Sequence, residues 1–167
     1  MRRTPTIFAL LAALALALPA CGSAEEPEGA KRQAEPSERR GGGVGLKKIG
    51  EFDQPVYVTG APGFPKLLFV VEQPGRIEAL SGGRSRGTFL DLRAEVGYGG
   101  EEGLLSLAFP PDYQRSRRFY VYYTDNAGNI RVDEFKRRSA TRAAAGSQRR
   151  VIEIPHPVNS NHNGGQL

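Results

Sequence analysis

From Leu46 onward the chain consists of short apolar runs cut by glycine and proline. That pattern constrains the fold more than any other feature of the sequence. Val56-Tyr57-Val58 meets the break Gly60-Ala61-Pro62-Gly63-Phe64-Pro65. Leu67 to Val71 is a run of strand length, rich in β-formers. Gln73-Pro74-Gly75 turns the chain, and Arg76 to Leu80 alternates with a period of two. Gly82-Gly83 turns it again before a short strand over Thr88–Leu92. Phe119-Tyr120-Val121-Tyr122-Tyr123-Thr124 is the strongest strand. The hairpin-type loop Asp125–Asn129 and an alternating return over Ile130–Phe135 follow it. Val151–Ile154 is a last short strand, closed by Pro155. The one helix candidate, Arg138–Gln148, lacks an apolar stripe and reads as a polar loop.

Strands at this spacing predict an all-β fold: a sandwich, a barrel or a propeller. No exact repeat is present. Yet LLFVVEQPGRI and FYVYYTDNAGNI share one design of strand, polar glycine turn and alternating strand, as successive propeller blades would.

The residues before this pattern cannot join its core. Residues 22–46 are rich in Glu, Pro, Gly, Ala, Arg and Ser and hold almost nothing apolar. Such a segment cannot bury enough surface to offset its ordering entropy, so it reads as a disordered tether. Ahead of it, Arg2 and Arg3 precede an unbroken apolar run from Ile7 to Leu18 and the small-residue site Leu18-Pro19-Ala20-Cys21. This is the layout of a signal peptide, and the run is shorter than the ~20 apolar residues of a bilayer span. L-P-A-C resembles the lipobox of bacterial lipoproteins. That resemblance implies export, with a diacylglycerol on the sulfur of Cys21 and attachment to the cell membrane. Cys21 is the only cysteine, so the fold has no internal disulfide. The expected organisation is a signal over 1–21, a tether over 22–46 and a folded part over 47–167.

The net charge is +5; without Arg2 and Arg3 it is +3, from 21 basic and 18 acidic residues. The basic residues are dispersed, and no face is evidently built for phosphate, which speaks against nucleic acid as a partner.

Three patches carry chemistry. They are Leu67–Ile77 (LLFVVEQPGRI), Gly99–Tyr113 (GGEEGLLSLAFPPDY, followed by FYVYYT) and Asn161–Leu167 (NHNGGQL). In this order and spacing they resemble the soluble PQQ-dependent sugar dehydrogenases of the glucose/sorbosone dehydrogenase family, over about Gly50 to Leu167. The resemblance implies part of a six-bladed β-propeller, with about two to three blades in this chain. It implies a quinoprotein oxidoreductase that oxidises the C1 hydroxyl of an aldose by hydride transfer to PQQ, with Ca²⁺ required and an electron acceptor downstream. The family's general base matches His162, a residue type whose pKa suits the role. Glu101, Asn161 and Gly164 match positions lining the cofactor pocket. Asn161 stands where some members have Asp; an amide can orient an imidazole but cannot stabilise imidazolium as a carboxylate would. No metal ligand is assigned within the chain, because most PQQ and Ca²⁺ ligands are expected beyond it.

Other polar residues read as structural. His156, between two prolines, reads as a loop residue. Asp125–Asn129 has too few ligands for a calcium loop and reads as a turn. Tyr120, Tyr122 and Tyr123 read as sheet packing. Six blades need ~250–300 residues, so the chain is expected to be an N-terminal portion that neither holds PQQ tightly nor turns over alone. A non-catalytic extracytoplasmic binding propeller, similar to hedgehog-interacting proteins, is the alternative.

Overall fold

The computed structural model describes residues 44–167. The signal, Cys21 and residues 22–43 of the expected tether lie outside the described residues.

The folded part is two antiparallel sheets. The first is a meander of β1 (Pro55–Ala61), β2 (Phe64–Glu72), β3 (Arg76–Ser81) and β4 (Arg84–Asp91) in spatial order β1-β2-β3-β4. Its turns are the ones the glycines and prolines mark. Gly82 and Gly83 both have positive φ, at 59° and 76°, and join paired Ser81 and Arg84 in a two-residue hairpin.

The second sheet runs β5 (Leu104–Ala108), β6 (Arg118–Thr124), β7 (Ile130–Ser139) and β8 (Arg142–Ala143), with β9 (Arg149–Ile154) also paired to β7. One end of β7 pairs with β8 and the other with β9, so these two short strands together form its fourth strand. Between β5 and β6 sits a single helical turn, α1 (Tyr113–Ser116), closed by Arg117 in the left-handed region at φ 60°. Two consecutive four-stranded meanders are the blade arrangement of the expected propeller-type, all-β fold.

Alternation along the strands builds the core. In β6, Phe119, Val121 and Tyr123 are fully buried, while Tyr120 and Tyr122 face the other way. Phe69, Val71, Ile77, Ala79 and Phe89 supply the first sheet's side of the interface; Leu104, Leu107, Phe119 and Phe135 supply the second's. Aromatic rings join the two sheets: Phe89 packs on Phe69 within the first sheet, centroids 4.7 Å apart, and on Phe119 of the second, 4.8 Å apart.

Three details depart from the sequence reading. β5 is a strand where the sequence showed only a motif, because LLSLA is buried at both Leu104 and Leu107 across a register shift and does not alternate. Of the region read as a polar loop, 138–148, Arg138 and Ser139 belong to the end of β7 and Arg142 and Ala143 form β8, paired back to it; the rest is loop. β4 begins at Arg84, ahead of Thr88, and ends at Asp91. The Asp125–Asn129 turn is as read. Asp125 Oδ1 accepts from the N–H groups of Ala127 and Asn129, both at 3.0 Å, and its Oδ2 lies 3.5 Å from Arg131. That carboxylate closes a turn.

Candidate functional site

The three sequence patches converge. Gln73, from the first, donates through Nε2 to the carbonyls of Gly100 and Glu102 at 2.8 and 2.9 Å. Its own carbonyl accepts from Leu104 N–H at 2.9 Å. The start of the second patch, Gly99–Gly103, is thus the end of the crossover from one sheet to the next, locked onto the turn that the first patch makes. Thr124, at the end of β6, seals the other side: its hydroxyl accepts from Gly103 N–H and donates to the Gly97 carbonyl, each at 2.8 Å.

The third patch lies against this crossover. Glu101 Oε2 accepts from the main-chain N–H of His162 at 2.6 Å, joining residues 61 positions apart. A carboxylate acceptor makes this a charge-assisted bond. His162 itself is exposed and held at φ 60°. The left-handed region costs a residue with a Cβ roughly 1–2 kcal/mol, so surrounding contacts must hold it there.

Those contacts come from both neighbours. The carbonyl of Asn161 meets His156 Nε2 at 3.0 Å. The carbonyl of Asn163 accepts from the Tyr122 hydroxyl, and Asn163 Nδ2 donates to the Ser160 carbonyl at 2.9 Å. Asn163 is 2% exposed, and its Oδ1 is buried without a partner among the described residues. Burial raises the pKa of Tyr122 above its ordinary value, so its hydroxyl remains a donor through neutral pH.

Beside the loop opens a cleft of about 580 Å³, lined by Val56, Tyr57, Leu105, Tyr122, Gly164 and Gln166. Gly164 sits at φ 71°, and a Cβ there would stand 3.0 Å from Tyr122 Oη. The absent side chain leaves this wall flat, as the face of a planar ligand requires. The structure therefore brings His162 and Glu101 together directly and sets Gly164 in the cleft wall. Asn161 is exposed and is held by its carbonyl. Tyr122 and Asn163 were missed by the sequence reading. Alternation in β6 puts Tyr122 on the face away from the core, a signal available in the sequence; nothing in NHNGG marks Asn163 as the buried member.

A PQQ group is flat and carries carboxylates. The flat glycine wall and the polar atoms of Tyr122 and Gln166 fit its ring face. None of the residues lining the cleft is a Lys or Arg to meet its carboxylates. Among the described residues no three His, Cys, Asp or Glu side chains gather as metal ligands.

Comparison with known proteins agrees with this layout. Hedgehog-interacting protein from Mus musculus is 29% identical over 131 residues, spanning 68% of this chain and 19% of that protein. The PQQ-bound aldose sugar dehydrogenase of Streptomyces coelicolor has the same fold over 72% of this chain and 36% of its own, with TM-score 0.58 and 23% identity. The soluble aldose sugar dehydrogenase of Escherichia coli, in its apo-form, matches over 70% of this chain and 34% of its own, with TM-score 0.52 and 23% identity. The chain thus spans about a third of these solved structures. The model of the family described as Glucose / Sorbosone dehydrogenase matches residues 52–167, which hold both sheets and all three patches. The chain therefore belongs to the glucose/sorbosone dehydrogenase family.

Proposed function

We propose that this chain is the N-terminal portion of an exported, PQQ-dependent aldose dehydrogenase, tethered to the membrane through Cys21. The observation that carries the reading is the bond from His162 N–H to Glu101, which fixes the main chain of an exposed histidine two residues before Gly164 of the cleft wall. In this reading His162 takes the proton of the sugar C1 hydroxyl at a ring nitrogen as the C1 hydride departs. When bound, PQQ would supply the two-electron acceptor for that hydride. Glu101, Asn161 and Gly164 are the residues assigned to this side of its site, and of them Gly164 lines the cleft. Glu101 fixes the main chain of the base, and Gly164 keeps the wall clear. The lipid anchor and tether would hold the propeller near membrane electron acceptors.

The test uses the full gene product with PQQ and Ca²⁺, a panel of aldoses and dye reduction as the readout. His162→Ala is expected to abolish reduction. Undiminished reduction in that variant would sink the base assignment.

A second reading has its own support. The match to hedgehog-interacting protein, over 68% of this chain, favours a non-catalytic binding propeller. Calorimetric titration with PQQ separates the two. Saturable binding supports the enzyme, and none at millimolar PQQ supports the binding module.

A further inference from the structure

We propose that Asn163, clasped by Tyr122, is the positioning residue that aims His162; this rests on the reading of His162 as the base. Asn163 is the one buried residue between Pro155 and Leu167, and it directly follows an exposed histidine. Two bonds fix it. Its Nδ2 turns back to the Ser160 carbonyl and closes the loop around Asn161 and His162. Its carbonyl receives the hydroxyl of Tyr122 from β6, a strand whose other face is in the core. The base is thereby tied to the rigid sheet through one intervening peptide.

The cost of this arrangement is visible. Asn163 Oδ1 is buried with no partner among the described residues. A side chain placed only to fill space would be apolar, because an unmatched buried acceptor destabilises the fold. The amide is explained by its donor, which holds the turn that keeps His162 at φ 60°. With Glu101 on the His162 N–H and Tyr122 on the next carbonyl, the main chain is held on both sides of the Cα. The direction in which the imidazole leaves the backbone is then fixed.

Tyr122→Phe tests this most cleanly, because it keeps the ring in the cleft wall and deletes only the hydroxyl. In the PQQ- and Ca²⁺-loaded full gene product, kcat for aldose oxidation should fall about 10- to 100-fold with KM held within about twofold. Asn163→Ala should give the same split; if it does not fold, Tyr122→Phe decides. The second readout needs no cofactor. Histidine ring ¹H–¹⁵N signals, assigned by their loss in His162→Ala, should shift or broaden for His162 in Tyr122→Phe and stay in place for His156. Unmoved His162 signals with unchanged kcat would overturn the proposal, as would a rise in KM alone, which would make Tyr122 a substrate contact. If the wild type reduces no dye with any aldose, the enzyme reading fails, and the ring signals alone decide the clasp.

Discussion

Glu101 and His162 meet main chain to side chain: the carboxylate accepts the histidine's backbone N–H at 2.6 Å. The bond therefore needs an acceptor at position 101 and has no use for its charge as an acid or base. Glu101→Gln retains a carbonyl oxygen in place and is expected to keep dye reduction within about threefold of wild type. Glu101→Ala leaves the N–H unpartnered and lets the loop drift, with kcat reduced about tenfold. Steady-state kinetics on the two variants checks this. Equal losses in both would show that the carboxylate's charge matters.

Gly164→Ala combines two penalties that can be separated. At φ 71° the new Cβ is strained, and it would also stand 3.0 Å from Tyr122 Oη. Gly146, at φ 68° with nothing within 4 Å of a Cβ, carries the strain alone. Gly146→Ala should cost about 1 kcal/mol in a denaturant melt with dye reduction unchanged. Gly164→Ala should cost more and displace Tyr122, abolishing most activity. Matching behaviour in the two variants would remove Gly164 from the cleft wall.

Much of the fold was legible because it is written in short range. Phe119, Val121 and Tyr123 alternate with Tyr120 and Tyr122, so β6 announces both itself and its buried face. Gly82-Gly83 announces its hairpin. β5 was hidden because Leu104, Leu105 and Leu107 do not alternate: a register shift between Leu104 and Ser106 buries Leu104 and Leu107 on the same side of the core. α1 was hidden because one turn is too short for a period. The site was legible only by resemblance. No local pattern says that Glu101 reaches a backbone 61 residues away. None ranks Asn163 above Asn161, since the hydroxyl that holds Asn163 comes from Tyr122 on β6, far away in the sequence.

Tyr113 offers a stability test away from the site. It is 1% exposed, its hydroxyl has no partner among the described residues, and burial pushes its pKa to about 12 from 10. Arg137 stacks over its ring at 5.2 Å and would stack over a phenylalanine equally. Tyr113→Phe removes an unmatched buried hydroxyl and should stabilise the fold by about 1 kcal/mol at neutral pH. The sign with pH follows from the raised value. The folded state keeps the phenolic proton after the unfolded chain has begun to lose it, so wild-type stability falls as pH rises from about 10 to 12. The variant should lack that share of the alkaline decline. Urea melts across the alkaline range would show it, and a less stable variant at neutral pH would mean the hydroxyl has a partner.

Glu134 sets the behaviour at the acid end. It is 5% exposed in the middle of β7. Arg149 donates to both its oxygens at 3.3 and 3.0 Å, and the Tyr120 hydroxyl donates at 3.0 Å. The bonds from Arg149 outweigh burial and hold the carboxyl below its usual value of 4.5. A depressed value stabilises the folded state above the unfolded chain's pKa, and that contribution is lost as pH falls through the folded one. Because Arg149 begins β9, the loss should fall on the pairing of β9 with β7. Glu134→Gln keeps the shape and removes the charge. Its melting temperature should lie below wild type at about pH 7, and the gap should close as pH falls through the lowered value of the folded carboxyl, where the wild-type group is itself protonated. Hydrogen exchange of the Arg150 and Ile152 amides, which belong to residues paired with β7, should quicken in the variant at neutral pH and in wild type only on acidification. A gap in melting temperature that stays constant with pH would assign Glu134 to packing alone.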